Sequence, residues 1–177
     1  GLYDIIFETR NRLKADGCLP ISHQLKKRAL ELGINEKKIV VLNGGCDVKR
    51  IPFVENNQVY RKEFQIPLDA VLVGIIGLNT EEIENHINIF RAIKVLNKNG
   101  YNFKILATGK LSHGDLKQYN FQDILHFFDW LSYNDFCRLI SCADLFALVQ
   151  KDNTRNNSRF PNKLGDYLAA SRPILTN

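Results

Sequence analysis

The chain has no apolar run approaching the roughly 20 residues that cross a bilayer, and its first residues lack a basic start followed by an unbroken apolar core. A membrane-spanning or secreted protein is therefore not expected. The four cysteines, Cys18, Cys46, Cys137 and Cys142, form no CxxC pair and have no histidine at metal-ligand spacing. That argues against a zinc site or a disulfide framework and fits a reducing cytoplasm. The triplet Asn156-Asn157-Ser158 matches a glycosylation acceptor but carries no weight without a secretory signal. No internal repeat or low-complexity segment is present, and no Ser-His-Asp or Cys-His arrangement stands out. His23, His86, His113 and His126 fall at no spacing that requires acid-base chemistry.

What is present bounds the answer from the other side. With 177 residues, 45% hydrophobic and 24% charged, the chain can bury one good core and belongs among soluble globular proteins. Its net charge of +5 would suit nucleic acid, an anionic membrane surface or a phosphorylated substrate. The basic clusters Lys26-Lys27-Arg28 and Lys37-Lys38 are short and lack interleaved aromatics, so they read as solvated faces, and nucleic acid ranks last.

Periodicity predicts alternating strands and helices. Residues 1–15 read as a helix through Leu2, Ile5, Ile6 and Leu13, followed by a strand at Cys18–Ile21, a helix at His23–Leu32 capped by Ser22, and a strand at Lys38–Leu42. Asn43-Gly44-Gly45 then breaks the chain. The mixed stretch 48–67 reads as an interdomain linker. Strands follow at Ala70–Ile76, Phe103–Ala107, Ile124–Phe128, Leu145–Val149 and Pro173–Leu175. Helices are expected at Glu82–Lys98, Leu116–Tyr119, Ser132–Ile140 and from Pro161 onward. Such alternation predicts a parallel sheet with helices on both faces.

The most informative stretch is Arg159-Phe160-Pro161-Asn162-Lys163-Leu164-Gly165-Asp166-Tyr167-Leu168-Ala169-Ala170. Proline suits a helix start, where its missing N–H costs nothing, and the free amides that follow favour an anion. Arg159 and Lys163 add positive charge, and Asp166, about one turn on, is placed to accept hydrogen bonds from ribose hydroxyls. A nucleotide-linked substrate fits all three. In a parallel sheet the ligand sits beyond the carboxyl ends of the strands, which gathers Gly77, Gly109, Asp129-Trp130 and residues 152–163 around one cleft. Gly77 is either an ordinary strand-ending glycine or a point where backbone approaches phosphate, and Trp130 is either core or a wall of the site.

Pro161 through Pro173 resembles the donor-site helix of the retaining GT-B glycosyltransferases of family 4. Ile21-Ser22-His23, Asn43-Gly44-Gly45-Cys46-Asp47, Val73-Gly74-Ile75-Ile76-Gly77, Glu84-Asn85-His86, Ile105-Leu106-Ala107-Thr108-Gly109 and Ala143-Asp144-Leu145-Phe146 occur in the order that resemblance requires. It implies an α/β Rossmann-like GT-B half, incomplete relative to the two-domain fold. Residues 1–47 would close the first domain, 48–67 would link, and 68–177 would be the nucleotide-sugar-binding domain, truncated at its end. Donor contacts are implied at Gly77, Asp129, Trp130, Ser158, Arg159, Asn162, Lys163, Leu164 and Asp166, with Asp129-Trp130 bordering the base. No metal and no cofactor are implied, the nucleotide diphosphate sugar being a substrate.

The family's spaced pair of glutamates falls here on Ser158 and Asp166, and its diphosphate-neutralising Arg and Lys fall on Leu78 and Glu84. Losing charge stabilisation at a leaving group raises a barrier by several kcal/mol, roughly. Two functions are therefore carried forward. One is the donor-binding part of a retaining glycosyltransferase of polysaccharide biosynthesis, acting in the cytoplasm on a glycan or lipid-linked acceptor, with possible peripheral membrane contact. The other is a catalytically impaired GT-B binding or scaffolding module.

Overall fold

A central parallel strand has both faces covered and must be apolar along its length, as Val71–Asn79 (β1) is. In the computed structural model, which describes residues 3, 7, 9–51, 53–111 and 119–177 apart from the side chains of Glu81 and Glu82, β1 lies between Phe103–Lys110 (β2) and Leu145–Leu148 (β4). Leu125–Phe128 (β3) and Ile174–Thr176 (β5) form the edges. The order is β3-β2-β1-β4-β5, with every pairing parallel. The fold class is the expected Rossmann-like α/β. Chain progression reverses between β1 and β4, the place where such sheets open a crevice.

The chain divides into two compact units, Gly1–Gly45 with Asp152–Asn162, and Cys46–Lys151 with Lys163–Asn177. The expected linker 48–67 falls in the second unit and holds a short helix, while residues 152–162 group with the first.

In the first unit, Thr9–Lys14 (α1) and His23–Glu31 (α2) are helical, and Ser22 accepts from Leu25 N at 3.2 Å as the predicted cap. The apolar positions Leu2, Ile5 and Ile6 lie outside the described residues. The segments expected as strands run side by side in parallel. Cys18 N donates to Lys38 O (2.8 Å), Val40 N to Cys18 O (3.1 Å) and Leu42 N to Pro20 O (3.0 Å), around a single Cys18–Ile39 bridge. Asn43 Nδ2 donates to Ile21 O at 2.9 Å, and Phe160 packs over Gly44, so the Asn-Gly-Gly segment is a structured corner.

In the second unit, Gln58–Glu63 (α3), Thr80–Lys98 (α4) and Tyr133–Ile140 (α5) join the sheet. Side-chain alternation sorts the core into two layers. Val73, Ile75, Ile105 and Ala107 meet Ile83, Phe90 and Ile93 of α4 on one face. Leu72, Ile76, Leu106 and Phe146 meet Leu139, Ile140 and Tyr167 on the other. The expected helix at Leu116–Tyr119 falls almost wholly on residues 112–118, outside the described ones. Two further helices are Thr154–Ser158 (α6), in the first unit, and Asn162–Ala169 (α7). Asn153 caps α6 by accepting from Asn156 N at 2.8 Å, and Pro161 stands immediately before α7.

Arg61 of α3, 3% exposed, closes the amino-terminal end of the sheet. It donates to Cys142 O through Nε (3.1 Å) and Nη2 (2.9 Å), to Ala70 O (2.9 Å) and to Asp144 Oδ2 (2.7 Å), while Asp144 also accepts from Leu72 N at 2.7 Å. Arg61→Ala would take the donor from Ala70 O and the cation from Asp144, and would leave Cys142 O with Asn57 Nδ2 (3.1 Å) in place of three donors. We expect a loss of about 2–4 kcal/mol in urea denaturation, and an unchanged midpoint would deny the guanidinium this role.

Candidate functional site

At the carboxyl ends of β1, β2 and β3 lies a cavity of about 620 Å³. Its walls include Ile76, Gly77, Thr108, Asp129, Trp130 and Phe136. The site is built by an irregularity in β1. Register with β2 shifts between Ile75 and Leu78, so the backbone amides there lose their ladder partners. Two side chains replace them: Tyr167 of α7 accepts from Ile76 N at 2.9 Å, and Thr108 of β2 accepts from Gly77 N at 3.3 Å. Sequence reading ends the strand at Gly77. Those replacements let it continue to Asn79 and pass directly into α4.

Tyr167 is held by its ring as well as its hydroxyl. It stacks on Phe146 with centroids 4.1 Å apart and planes 7° from parallel. Phe146 in turn lies against Gly74, where a Cβ would come within 2.5 Å of the ring. Only glycine leaves room there. Lys163, four residues before Tyr167 on the same helix face, is thereby brought to Gly77, its Nζ 3.5 Å from where a Gly77 Cβ would sit. Gly77 has φ +69°, the left-handed region that glycine adopts without strain.

Asp166 is half-buried, and among the described residues its carboxylate has no hydrogen bond or ion pair. Burial raises its pKa above the ordinary carboxylate range. It lies near α5: Tyr133 is raised first by desolvation, then by Cys137 and by the charges of Asp166 and Asp47. Asp129 accepts from the Trp130 backbone N at 2.7 Å. Trp130 is 87% exposed at the cavity rim, which removes the core alternative for it. Leu164 packs its side chain against the core layer that contains Tyr167.

The remaining residues expected at the site belong to the first unit. Ser158 Oγ donates to Thr154 O at 2.6 Å. Arg159 Nη2 donates to Asn156 Oδ1 at 2.6 Å, leaving its buried Nε without a partner. Asn162 is exposed at the start of α7. Leu78 is fully buried, and Glu84 forms an ion pair with Lys151 at 3.4 Å. Burial pushes the Cys142 thiol up to about 12 and raises that of Cys137, so both serve packing. His86 is buried, burial followed by the Lys104 charge lowers His126, and His113 lies outside the described residues. Among the described residues no cluster of histidine, cysteine or carboxylate side chains could hold a metal, and no helix is long and apolar enough to cross a membrane.

Tyr167, Tyr133 and Thr108 are the site residues that sequence reasoning missed. The Lys163–Tyr167 spacing was the available signal, since it puts both on one helix face.

A raised carboxylate pKa means that ionisation favours the unfolded chain. Stability attributable to Asp166 is present at low pH and lost as pH rises through its folded pKa. Asp166→Asn should therefore raise the melting temperature at pH 7 and lose that advantage below the ordinary carboxylate range. A melting difference that is the same at pH 3 and pH 7 would contradict the assignment. Gly77→Ala should cost about 1–2 kcal/mol from the left-handed backbone alone, read from urea denaturation, and a neutral substitution would mean the local φ is not as described.

No protein-family model and no curated protein matches the chain. Solved structures do. Sucrose-phosphate synthase from Thermosynechococcus elongatus superposes with a TM-score of 0.72 at 14% identity, over 99% of this chain and 44% of that one. A glycosyltransferase from Rickettsia africae gives 0.68 at 17% identity, over 99% and 46%. HepE from Anabaena, crystallised with UDP and glucose, gives 0.66 at 13% identity, over 95% and 47%. The chain has the fold of the segment it overlays in these proteins and spans about half the length of each.

Proposed function

We propose that this chain is the donor-binding part of a retaining glycosyltransferase, which passes a sugar from a nucleotide diphosphate sugar to a glycan or lipid-linked acceptor. The observation that carries this reading is Lys163 set against Gly77 at the carboxyl end of β1. There an ammonium group, a glycine backbone and the first amides of α7 favour a diphosphate. Asp166, one turn along and without a partner among the described residues, is the acceptor for ribose hydroxyls. The cavity walls formed by Ile76, Leu131 and Phe136 suit the flat face of a nucleobase, with Asp129 and Trp130 at its edge.

On this reading the chemistry needs no bound cofactor, and the protein works in the cytoplasm on polysaccharide or lipid-linked glycan, where its net positive charge favours contact with anionic membrane. The uridine nucleotide named for the Anabaena structure makes UDP the first ligand to try.

A second reading, a GT-B module that binds donor without efficient transfer, is favoured by a specific observation. Leu78 is wholly buried and the Ser158 hydroxyl is engaged with Thr154 O, so neither supplies charge to a departing diphosphate. Tight binding of a UDP-sugar that stays intact on long incubation with acceptor would support it.

Calorimetric titration with UDP, GDP and ADP should show binding of one nucleotide. Lys163→Ala and Asp166→Ala should each weaken it by about 1–3 kcal/mol, the worth of a charged hydrogen bond. Affinity unchanged in both variants would overturn the site.

A further inference from the structure

The cavity at the carboxyl end of the sheet carries a carboxylate on a short, braced connection. Asp129 follows directly on β3 and lines the cavity. The residue before it, Phe128, pairs with Thr108 in the ladder and meets Phe64 edge to face with centroids 5.8 Å apart. On the far side, Ser132 caps α5 by accepting from Asp135 N at 3.2 Å. Only Asp129, Trp130 and Leu131 lie between these two anchors. Within them, Asp129 Oδ1 accepts from Trp130 N at 2.7 Å. Among the described residues no hydrogen bond or ion pair reaches Oδ2, and Lys110, in the same lining, forms no ion pair with it.

A carboxylate without a cation repels a phosphorylated ligand, and as an acceptor-only group it is offset by N–H or O–H donors of that ligand. A nucleoside diphosphate has donors in two places, the ribose hydroxyls, assigned above to Asp166, and the edge of the base. The bases differ there. Guanine presents its ring N1–H and exocyclic N2–H side by side, so that two parallel donors meet the oxygens of one carboxylate in the same fork that a guanidinium makes. Uracil presents one N–H between two carbonyls, and adenine an amine beside a ring acceptor, so both turn lone pairs towards a carboxylate. Trp130, exposed at the rim next to Asp129, adds an indole face on which the larger ring system of a purine stacks over more area.

We propose that Asp129 selects guanine, so that the donor is a sugar carried on guanosine diphosphate. The inference rests on the donor reading given above and deepens it by fixing the base. Asp129 is then a specificity residue: it touches the base edge and takes no part in holding the phosphates.

The test is calorimetric titration of the full chain and of Asp129→Asn with GDP, UDP, ADP and xanthosine diphosphate. Xanthine has a carbonyl where guanine has its amine, and an asparagine amide, with one donor and one acceptor, matches it as the carboxylate matches guanine. The parent should bind GDP at least about tenfold tighter than the other three, and D129N should prefer xanthosine diphosphate to GDP by a similar factor. A gain of xanthosine diphosphate binding also shows that the variant is folded. If the parent binds UDP or ADP as tightly as GDP, and Lys163→Ala still weakens the bound nucleotide, the guanine assignment is overturned and the donor reading stands. A D129N variant that keeps the GDP preference, or fails to reverse it towards xanthosine diphosphate, overturns the role of Asp129. Binding of none of the four removes the donor reading and this inference with it.

Discussion

The hydrogen bond from Ile76 N to the buried Tyr167 hydroxyl is the contact on which the site depends. An unpaired buried amide costs on the order of 1–3 kcal/mol, so the β1 bulge is tolerable only where a partner is supplied. Tyr167 supplies it from a different element and, in doing so, fixes the rotation of α7 about its axis. That rotation carries Lys163 to Gly77 and Asp166 towards Tyr133. The chain Gly74, Phe146, Tyr167, Ile76 is continuous: a side chain at Gly74 would displace the Phe146 ring, then the tyrosine, then the helix that bears the cation.

The two ends of the sheet are treated differently. At the amino end, Arg61 and Asp144 satisfy the Ala70 and Cys142 carbonyls and the Leu72 amide, tying α3 to the strands. At the carboxyl end, β1 pairs with β4 only through Val73–Leu145 and Gly74–Phe146. Beyond that point β1 is held by the Tyr167 and Thr108 side chains and by the β2 ladder, which resumes at Leu78–Gly109 and Asn79–Lys110. Rigidity at one end and a side-chain-lined opening at the other follow from where the polar groups were provided.

Much of this was legible. Predominantly apolar runs located the five strands, as expected where a parallel sheet is covered on both faces, and Pro161 with the spacing after it located α7. The short helices α3 and α6 were not legible, because five or six residues have little helical preference of their own and are held by Arg61 contacts in one case and by packing on α2 in the other. The continuation of β1 past Gly77 was hidden for a related reason. It depends on Thr108 and Tyr167, remote in sequence, and no local pattern reports a partner about 30 or 90 residues away. The exposure of Trp130 was equally unreadable, as a large aromatic is core by default.

Charge at the open end of the sheet is nearly balanced among the described side chains: Lys110, Lys151 and Lys163 stand against Glu84, Asp129 and Asp166. Both members of the Glu84–Lys151 pair are mostly exposed, so the pair adds little stability. Its effect is to cancel a carboxylate that would otherwise repel an incoming phosphate. With no large net field, recognition at this end must come from placement, an ammonium within reach of a glycine backbone and a helix start, and not from long-range attraction.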